Sequence, residues 1–320
     1  MTPPKAALLG FPSGTGPLLA RALKAAGVAA AAVCEEDRGR LAEAGRLLPE
    51  AARCRSTEEL FSRSGGLDMA VIALPAQKRP KAALRALENR LHTACLTPFC
   101  FSTSEFETLR EAAAAAERTL FPLQPWERSP AWLAVDKALS AGLIGEPDYA
   151  EVQDLSAGPA APGGAAADRG WRAFALLLAM LRRPPSALAA RLSPPGAAED
   201  AAAAVHVHFG GADGFVRLAC GRHAPLLRLA AHGDKGRLEL DGPTLRLDIK
   251  GLPPETVTFR EGLEAGAGEA GRLAAELAAF RAETAGEAPR GAGLRNARYC
   301  AKLLKNVYYS AAVRSAAVPL

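Results

Sequence analysis

Met69–Leu74 (MAVIAL) is an unbroken apolar run, and it limits the fold more than any other stretch. A strand that short and apolar on both faces belongs inside a parallel sheet. Pro75 and Pro80 bracket a turn after it. Lys81–Arg90 then places Ala82, Leu84, Ala86 and Leu87 at helical spacing, and Thr93–Leu96 supplies a second apolar strand. Strand, helix and strand make a βαβ unit whose crossover is right-handed. Ligands of open α/β sheets sit beyond the carboxyl ends of the strands. The tips that matter are therefore Leu74–Arg79 and Leu96–Cys100.

The same alternation extends to both sides. Ala6–Leu9 reads as a strand, followed by GFPSGTG and a helix carrying Leu18, Leu19, Ala22 and Leu23 up to Gly27. Val28–Cys34 is a second strand ending in Glu35-Glu36-Asp37, and a helix over Arg38–Leu48 leads to a short strand near Arg53–Arg55. Ser56 with Glu59, and later Ser102 with Glu105, have capping-box spacing. The second box opens an alanine-rich helix reaching about Arg118. Short connections between alternating strands and helices predict a doubly wound Rossmann domain over residues 1–122.

Residues 123–320 differ in character. Ser129 is expected to cap a helix with Pro130 at its first position, running to Gly142. Strands follow at Tyr149–Leu155, Ala187–Leu192, Ala204–Phe209, Phe215–Cys220, Leu226–Ala231, Gly236–Leu240 and Leu245–Ile249, several joined by turns such as GGADG. Two terminal helices carry apolar stripes, Leu273, Leu277 and Phe280 in one and Leu294, Ala301, Leu304 and Tyr308 in the other. The expected architecture is an α+β domain on a large, open, mainly antiparallel sheet, largely a meander. An open sheet of this size needs a cover, and a second copy of the chain is the usual one. A homodimer or higher oligomer is therefore expected.

A chain of 320 residues can bury two cores. Its net charge of +5 is mostly arginine interleaved with Glu and Asp. That reads as a solvated surface rather than a nucleic-acid patch. The six cysteines are scattered without a CxxC spacing, as befits buried free thiols in a reducing compartment. The N-terminal apolar run, broken by Gly10, Pro12 and Gly14, does not read as a signal peptide, and no apolar stretch approaches membrane-spanning length. A soluble, cytoplasmic protein is expected.

The colinear order of several segments resembles the Gfo/Idh/MocA family, typified by glucose–fructose oxidoreductase and inositol dehydrogenase. DMAVIALP resembles the family's fourth strand and HTACLTPFCFSTSEFETL its fifth strand and next helix. KALSAGLIGEPDYAEVQ resembles the start of the second domain, GGAAADRGWRAF its substrate-facing helix, HGDKGRLEL its glycine-turn strand pair, and YSAAVRSAAVPL its ending. The resemblance implies an NAD(P)-dependent oxidoreductase acting on a small molecule. It also marks a divergence. The family's Glu-Lys-Pro aligns with Leu96-Thr97-Pro98, so the catalytic lysine is Thr97 here. The helix motif D-x-G-x-H-x-x-D aligns with Asp168, Gly170, Arg172 and Ala175, so Arg172 replaces the histidine. A threonine hydroxyl is no acid near neutral pH. Arg172 stays protonated and binds anions or oxyanions rather than shuttling protons. Asp168 is placed to orient it; a surface salt bridge is the simpler alternative.

A dinucleotide loop is expected to read G-x-G-x-x-G. Starting from Gly10, Pro12 and Thr15 occupy the other two glycine positions, and proline brings no N–H. Ser13, Gly14 and the following helix N-terminus remain as anion donors. Glu35, at the second strand's end, suits a ribose hydroxyl and favours NAD over NADP, unless it is only an acidic residue preceding a helix. Pro75 and Pro98 complete the expected cofactor set. Lys78 and Arg79 lie at a strand tip and either restore lost charge or face solvent. His206 and His208 share one strand face and could both reach a metal, but no third ligand is evident in sequence, and a satisfied or exposed strand pair is the expectation. Trp126, Trp132 and Trp171 either line the interdomain cleft or, as the default, serve an ordinary core or interface role. Two readings follow: a divergent NAD(P)-dependent oxidoreductase for a small anionic or sugar-like substrate, or a catalytically inactive relative kept as a binding or partner-regulating module.

Overall fold

The structure, a computed structural model, describes residues 2–62, 65–195, 199–221, 224–264 and 269–320. The first elements are β1 (Lys5–Leu9), α1 (Gly16–Ala25), β2 (Ala29–Cys34), α2 (Arg38–Leu47), β3 (Ala52–Cys54) and α3 (Thr57–Ser62). They are followed by β4 (Met69–Ile72), α4 (Arg79–Glu88), β5 (His92–Leu96), α5 (Thr103–Ala116) and β6 (Leu120–Leu123). The six strands form one sheet in the order β3-β2-β1-β4-β5-β6, parallel at every pairing. This is the doubly wound order with its switch point between β1 and β4. The strand β6 was not expected; Pro122 within it hid the signal, because proline argues against a strand unless its N–H is not needed.

Both capping boxes form with a one-residue offset. The Glu59 and Glu105 amides donate to the Ser56 and Ser102 hydroxyls at 3.1 Å, while the glutamates reach back to the amides of Arg55 and Phe101. Ser129 begins its helix without a side-chain cap; its hydroxyl donates instead to the Gly262 carbonyl at 3.1 Å.

The rest of the chain comprises α6 (Pro130–Ser140), β7 (Pro147–Ser156), α7 (Gly164–Leu181), β8 (Ala187–Ser193), β9 (Ala202–His208), β10 (Asp213–Cys220) and β11 (Leu226–Gly233). Then come β12 (Gly236–Asp241), β13 (Thr244–Ile249), β14 (Glu255–Thr258), α8 (Glu269–Ala285), α9 (Ala297–Ala312) and β15 (Val318–Pro319). A nine-stranded sheet runs β14-β13-β12-β11-β7-β10-β9-β8-β15. Its pairs are antiparallel except β7 with β10, which is parallel. The sheet is thus two meanders flanking β7 rather than one, because α7 and the β8–β9 hairpin intervene before the chain returns as β10. Ala150, Val152 and Asp154 of β7 point to the covered face, where α7 packs.

The chain divides into two compact units, Met1–Pro125 with Ala267–Arg295, and Trp126–Gly266 with Asn296–Leu320. The linear reading put α8 with the second unit; it packs in the first. Leu273, Leu277 and Phe280 are fully buried there, in the core that holds Leu8, Leu19 and Phe121. The Phe280 ring lies 5.6 Å from that of Phe121, and Arg281 donates to the Ala26 carbonyl at 3.0 Å. Each such side chain contributes about 1.5–3 kcal/mol by burial. An apolar stripe names its core face but not which core receives it. The six cysteines are buried and free, and no helix among the described residues is long and apolar enough to cross a membrane.

His92, at the head of β5, accepts the Thr119 amide through Nδ1 at 3.1 Å. Burial, then the charges of Arg118 and Arg290, push its pKa from 6.5 down to about 4. Between those values the unfolded chain binds the proton more tightly, so acidification favours unfolding. The expected cost is about 1–2 kcal/mol between pH 7 and pH 4, after allowance for partial exposure. Urea midpoints of the wild type and His92→Gln across that range check it: the variant loses this part of the slope, and equal slopes would refute the assignment.

Candidate functional site

A cleft of about 250 Å³ opens where β1, β2, β4 and β5 end, with Gly10, Thr15, Glu36, Leu74, Lys78 and Leu96 in its wall. The β1–α1 loop is pulled toward the sheet. Gly10 donates to the Cys34 carbonyl at 2.8 Å and Gly16 to the Pro12 carbonyl at 2.6 Å. The Phe11 amide donates to the Glu35 carboxylate at 2.8 Å, and the Phe11 ring is fully buried. Pro12 and Pro17 have no N–H. Among the described residues, the amides of Ser13, Gly14 and Thr15 at the head of α1 are the loop donors left for an anion. Ser13 and Gly14 are exposed.

Glu35 is 6 % exposed. Its Oε1 accepts from the Asp37 amide and from Arg40, each at 2.9 Å, and its Oε2 from Phe11. Most of its acceptor capacity therefore ties the loop to the start of α2. The next residue, Glu36, faces the cleft and pairs with Lys78 at 2.7 Å. Both side chains are more than half exposed, so this bridge is worth at most about 1 kcal/mol and opens readily for a ligand. Arg79 plays a different part, donating to the Leu74 carbonyl at 2.8 Å and the Pro98 carbonyl at 3.1 Å. It holds the tips of β4 and β5 together. Pro75 lines the cleft beside it. Thr97 is half-buried, Pro98 is buried, and the bond between them is cis.

In the second unit, Arg172 lies on α7. The start of that helix is fixed by Asp200, whose carbonyl and carboxylate accept the amides of Ala165 and Ala166. Gly170 lets α9 approach, since a Cβ there would lie 2.8 Å from Leu304. The expected orienting partner of Arg172, Asp168, does not touch it; Asp168 lies 3.9 Å from Arg169 instead. The partner is Asp154 of β7, 1 % exposed. Its Oδ2 accepts from Arg172 Nε and Nη2 at 2.9 and 2.6 Å, and its Oδ1 from Arg169 at 2.5 Å. Two guanidiniums on one carboxylate leave a net positive charge at partly exposed nitrogens, which suits an anion or an oxygen developing negative charge. Sequence reasoning passed over Asp154 although it carried a signal: in YAEVQDL it occupies the inward register of Ala150 and Val152, where a lone charge demands a partner.

The histidine pair is satisfied, as expected, but a third group that the sequence did not reveal stands beside it. This is Asp213 of β10, whose Oδ1 lies 2.7 Å from His206 Nε2 and 3.0 Å from His208 Nδ1. The hairpin register pairs Asp213 with His208, information that the spacing in sequence did not carry. The three tryptophans are buried; Trp126 and Trp132 meet edge to face at 5.3 Å.

No family model matches the sequence, and no curated protein matches it. Solved structures do match over nearly the whole chain. A levoglucosan dehydrogenase in complex with NADH and levoglucosan superposes with a TM-score of 0.86 at 18 % identity, covering 99 % of each chain. An inositol dehydrogenase homologue from Azotobacter vinelandii, complexed with NAD+, gives 0.84 at 21 % identity, over 100 % of this chain and 98 % of that one. The fold is that of the Gfo/Idh/MocA-type oxidoreductases. An oxidoreductase from Agrobacterium radiobacter, in complex with NAD+, L-tartaric acid and magnesium, gives 0.83 at 20 % identity over 99 % and 98 % of the two chains. Within the Gfo/Idh/MocA fold, Gly10, Thr97 and Pro98 end strands of the first unit's sheet, and Arg172 stands on the long helix of the second.

Proposed function

We propose that the protein is an NAD(P)-dependent oxidoreductase for a small anionic or sugar-like substrate. The single observation that carries this reading is the Arg169–Asp154–Arg172 cluster on a fold whose solved relatives hold NAD+ or NADH. The amides of Ser13, Gly14 and Thr15 suit the pyrophosphate, and the cleft at the strand ends suits the adenosine half, once Lys78 and Glu36 separate. With Glu35 engaged by the loop, Glu36 is the better placed acid for a ribose hydroxyl. When bound, the nicotinamide accepts or gives a hydride, which requires chiefly proximity to a suitable carbon.

The chain's own residues then bind and orient. Arg172, steered by Asp154, polarises or holds an anionic group of the substrate. Thr97 offers a hydrogen bond but no proton at neutral pH. Substrates with an acidic group of their own, or an already activated carbonyl, fit this arrangement better than simple alcohols. The second sheet's uncovered face, where Phe215 is exposed, is the surface through which we expect the chain to self-associate.

The competing reading, an inactive binding module, draws on Pro12 in the phosphate loop and on the salt bridge spanning a cleft of about 250 Å³, below the usual size of a ligand pocket. Titrating NADH and NADPH by fluorescence and thermal shift separates the two. Saturable binding that raises Tm, followed by turnover of a hydroxy- or keto-acid panel, is expected. Absence of binding at millimolar cofactor would sink the enzyme reading.

A further inference from the structure

We propose that His206, His208 and Asp213 form a mononuclear site for a divalent cation of the zinc class, on the β9–β10 hairpin of the second unit. Their three donor atoms, His206 Nε2, His208 Nδ1 and Asp213 Oδ1, all lie within 4.8 Å of one another. A tetrahedral ion with bonds of about 2.0–2.1 Å needs donors roughly 3.3 Å apart. The carboxylate oxygen is 2.7 and 3.0 Å from the two nitrogens, so admitting the ion asks it to withdraw by a few tenths of an ångström. Asp213 is half exposed in the single chain, which leaves it room for that movement there.

The remaining geometry is already set. His206 and His208 point to the same sheet face because they are two apart on a strand, and Asp213 faces His208 across the hairpin. The His206 ring is stacked on Phe215 at 4.3 Å and 10°, which fixes its plane. Phe215 is in turn 5.5 Å from Tyr149. Two imidazoles and one carboxylate are a borderline donor set that suits zinc, cobalt or nickel better than magnesium or calcium. Without the ion, each imidazole gives an N–H to the shared oxygen. With it, both nitrogens present lone pairs, and their protons move to the opposite ring nitrogen or to solvent. Three protein ligands leave a fourth position for water.

The site shares no residue with the cleft of the first unit or with the Arg172 cluster. Its test is metal uptake by the untagged, chelator-treated full chain, followed by calorimetry with Zn²⁺ and visible absorption with Co²⁺. One equivalent is expected. The cobalt form should show the intense visible bands of a tetrahedral ion without sulfur charge transfer, since the six thiols are buried. The double variant His206→Gln, His208→Gln and the single variant Asp213→Asn should each lose about tenfold or more in affinity, whereas His232→Gln should bind as the wild type does. Saturable binding that persists unchanged in the double variant, or no uptake by the wild type, would overturn the assignment.

Discussion

Replacing Asp154 by alanine is expected to destabilise the second unit by about 3 kcal/mol, the low end of the cost of breaking a buried ion pair, since the two arginines left behind are partly exposed. The carboxylate is 1 % exposed and carries three hydrogen bonds from two guanidiniums. Without it, Arg172 loses its carboxylate, Arg169 keeps only the more distant Asp168 at 3.9 Å, and α7 loses its polar tie to β7. For a unit of this size the loss corresponds to a fall in Tm on the order of 10 °C. Arg172→Met makes the informative contrast. It leaves Asp154 paired with Arg169 and should cost only about 1 kcal/mol. Chemical denaturation of the two variants ranks them, and equal costs would mean that Asp154 does not organise the cluster.

Gly10→Ala is the second large effect, with an expected loss of about 3–5 kcal/mol and of any ligand binding in the cleft. Gly10 has φ +88°, a conformation that side chains avoid. An added Cβ would also lie 2.7 Å from the Leu74 amide nitrogen and 2.8 Å from the carbonyl carbon and oxygen of Ala73. Those atoms cannot retreat, because Ala73 is bonded to Leu9 at 2.7 Å and Gly10 itself to Cys34 at 2.8 Å. Gly14, four residues along the same loop, is the control. A Cβ there meets nothing within 4 Å, so Gly14→Ala should be neutral or slightly stabilising. A thermal melt of each variant decides the matter; a mild Gly10→Ala would show that β1 and β4 are not clamped at the cleft.

Much of this architecture was legible in the residues. The apolar strands β1, β4 and β5 announce a doubly wound sheet because burial on both faces leaves no polar alternation. Seven strands of the second sheet followed from alternation and turn residues. What escaped was long-range partnership. Pairing β7 with β10 in parallel depends on what lies between them in space, and the destination of α8 depends on a core face 150 residues earlier in the chain. The site shows the same division. Gly10, Thr97 and Arg172 were singled out as candidates by position in a motif, whereas Asp154 and Asp213 became visible only when strand register brought them to their partners. Glu35 was picked for its place at a strand end; it lines the cleft beside Glu36, with three hydrogen bonds from the loop and α2 on its carboxylate.

The placement of α8 bears on synthesis. Because Leu273, Leu277 and Phe280 complete a core begun at Ala6, the nascent sheet emerges from the ribosome well before its last covering helix. Until some 150 further residues have followed, Phe121 and its neighbours stay bare, and the intervening segment, which itself awaits Asn296–Leu320, is made before either unit is complete. A fragment ending near residue 122 inherits that bare face permanently.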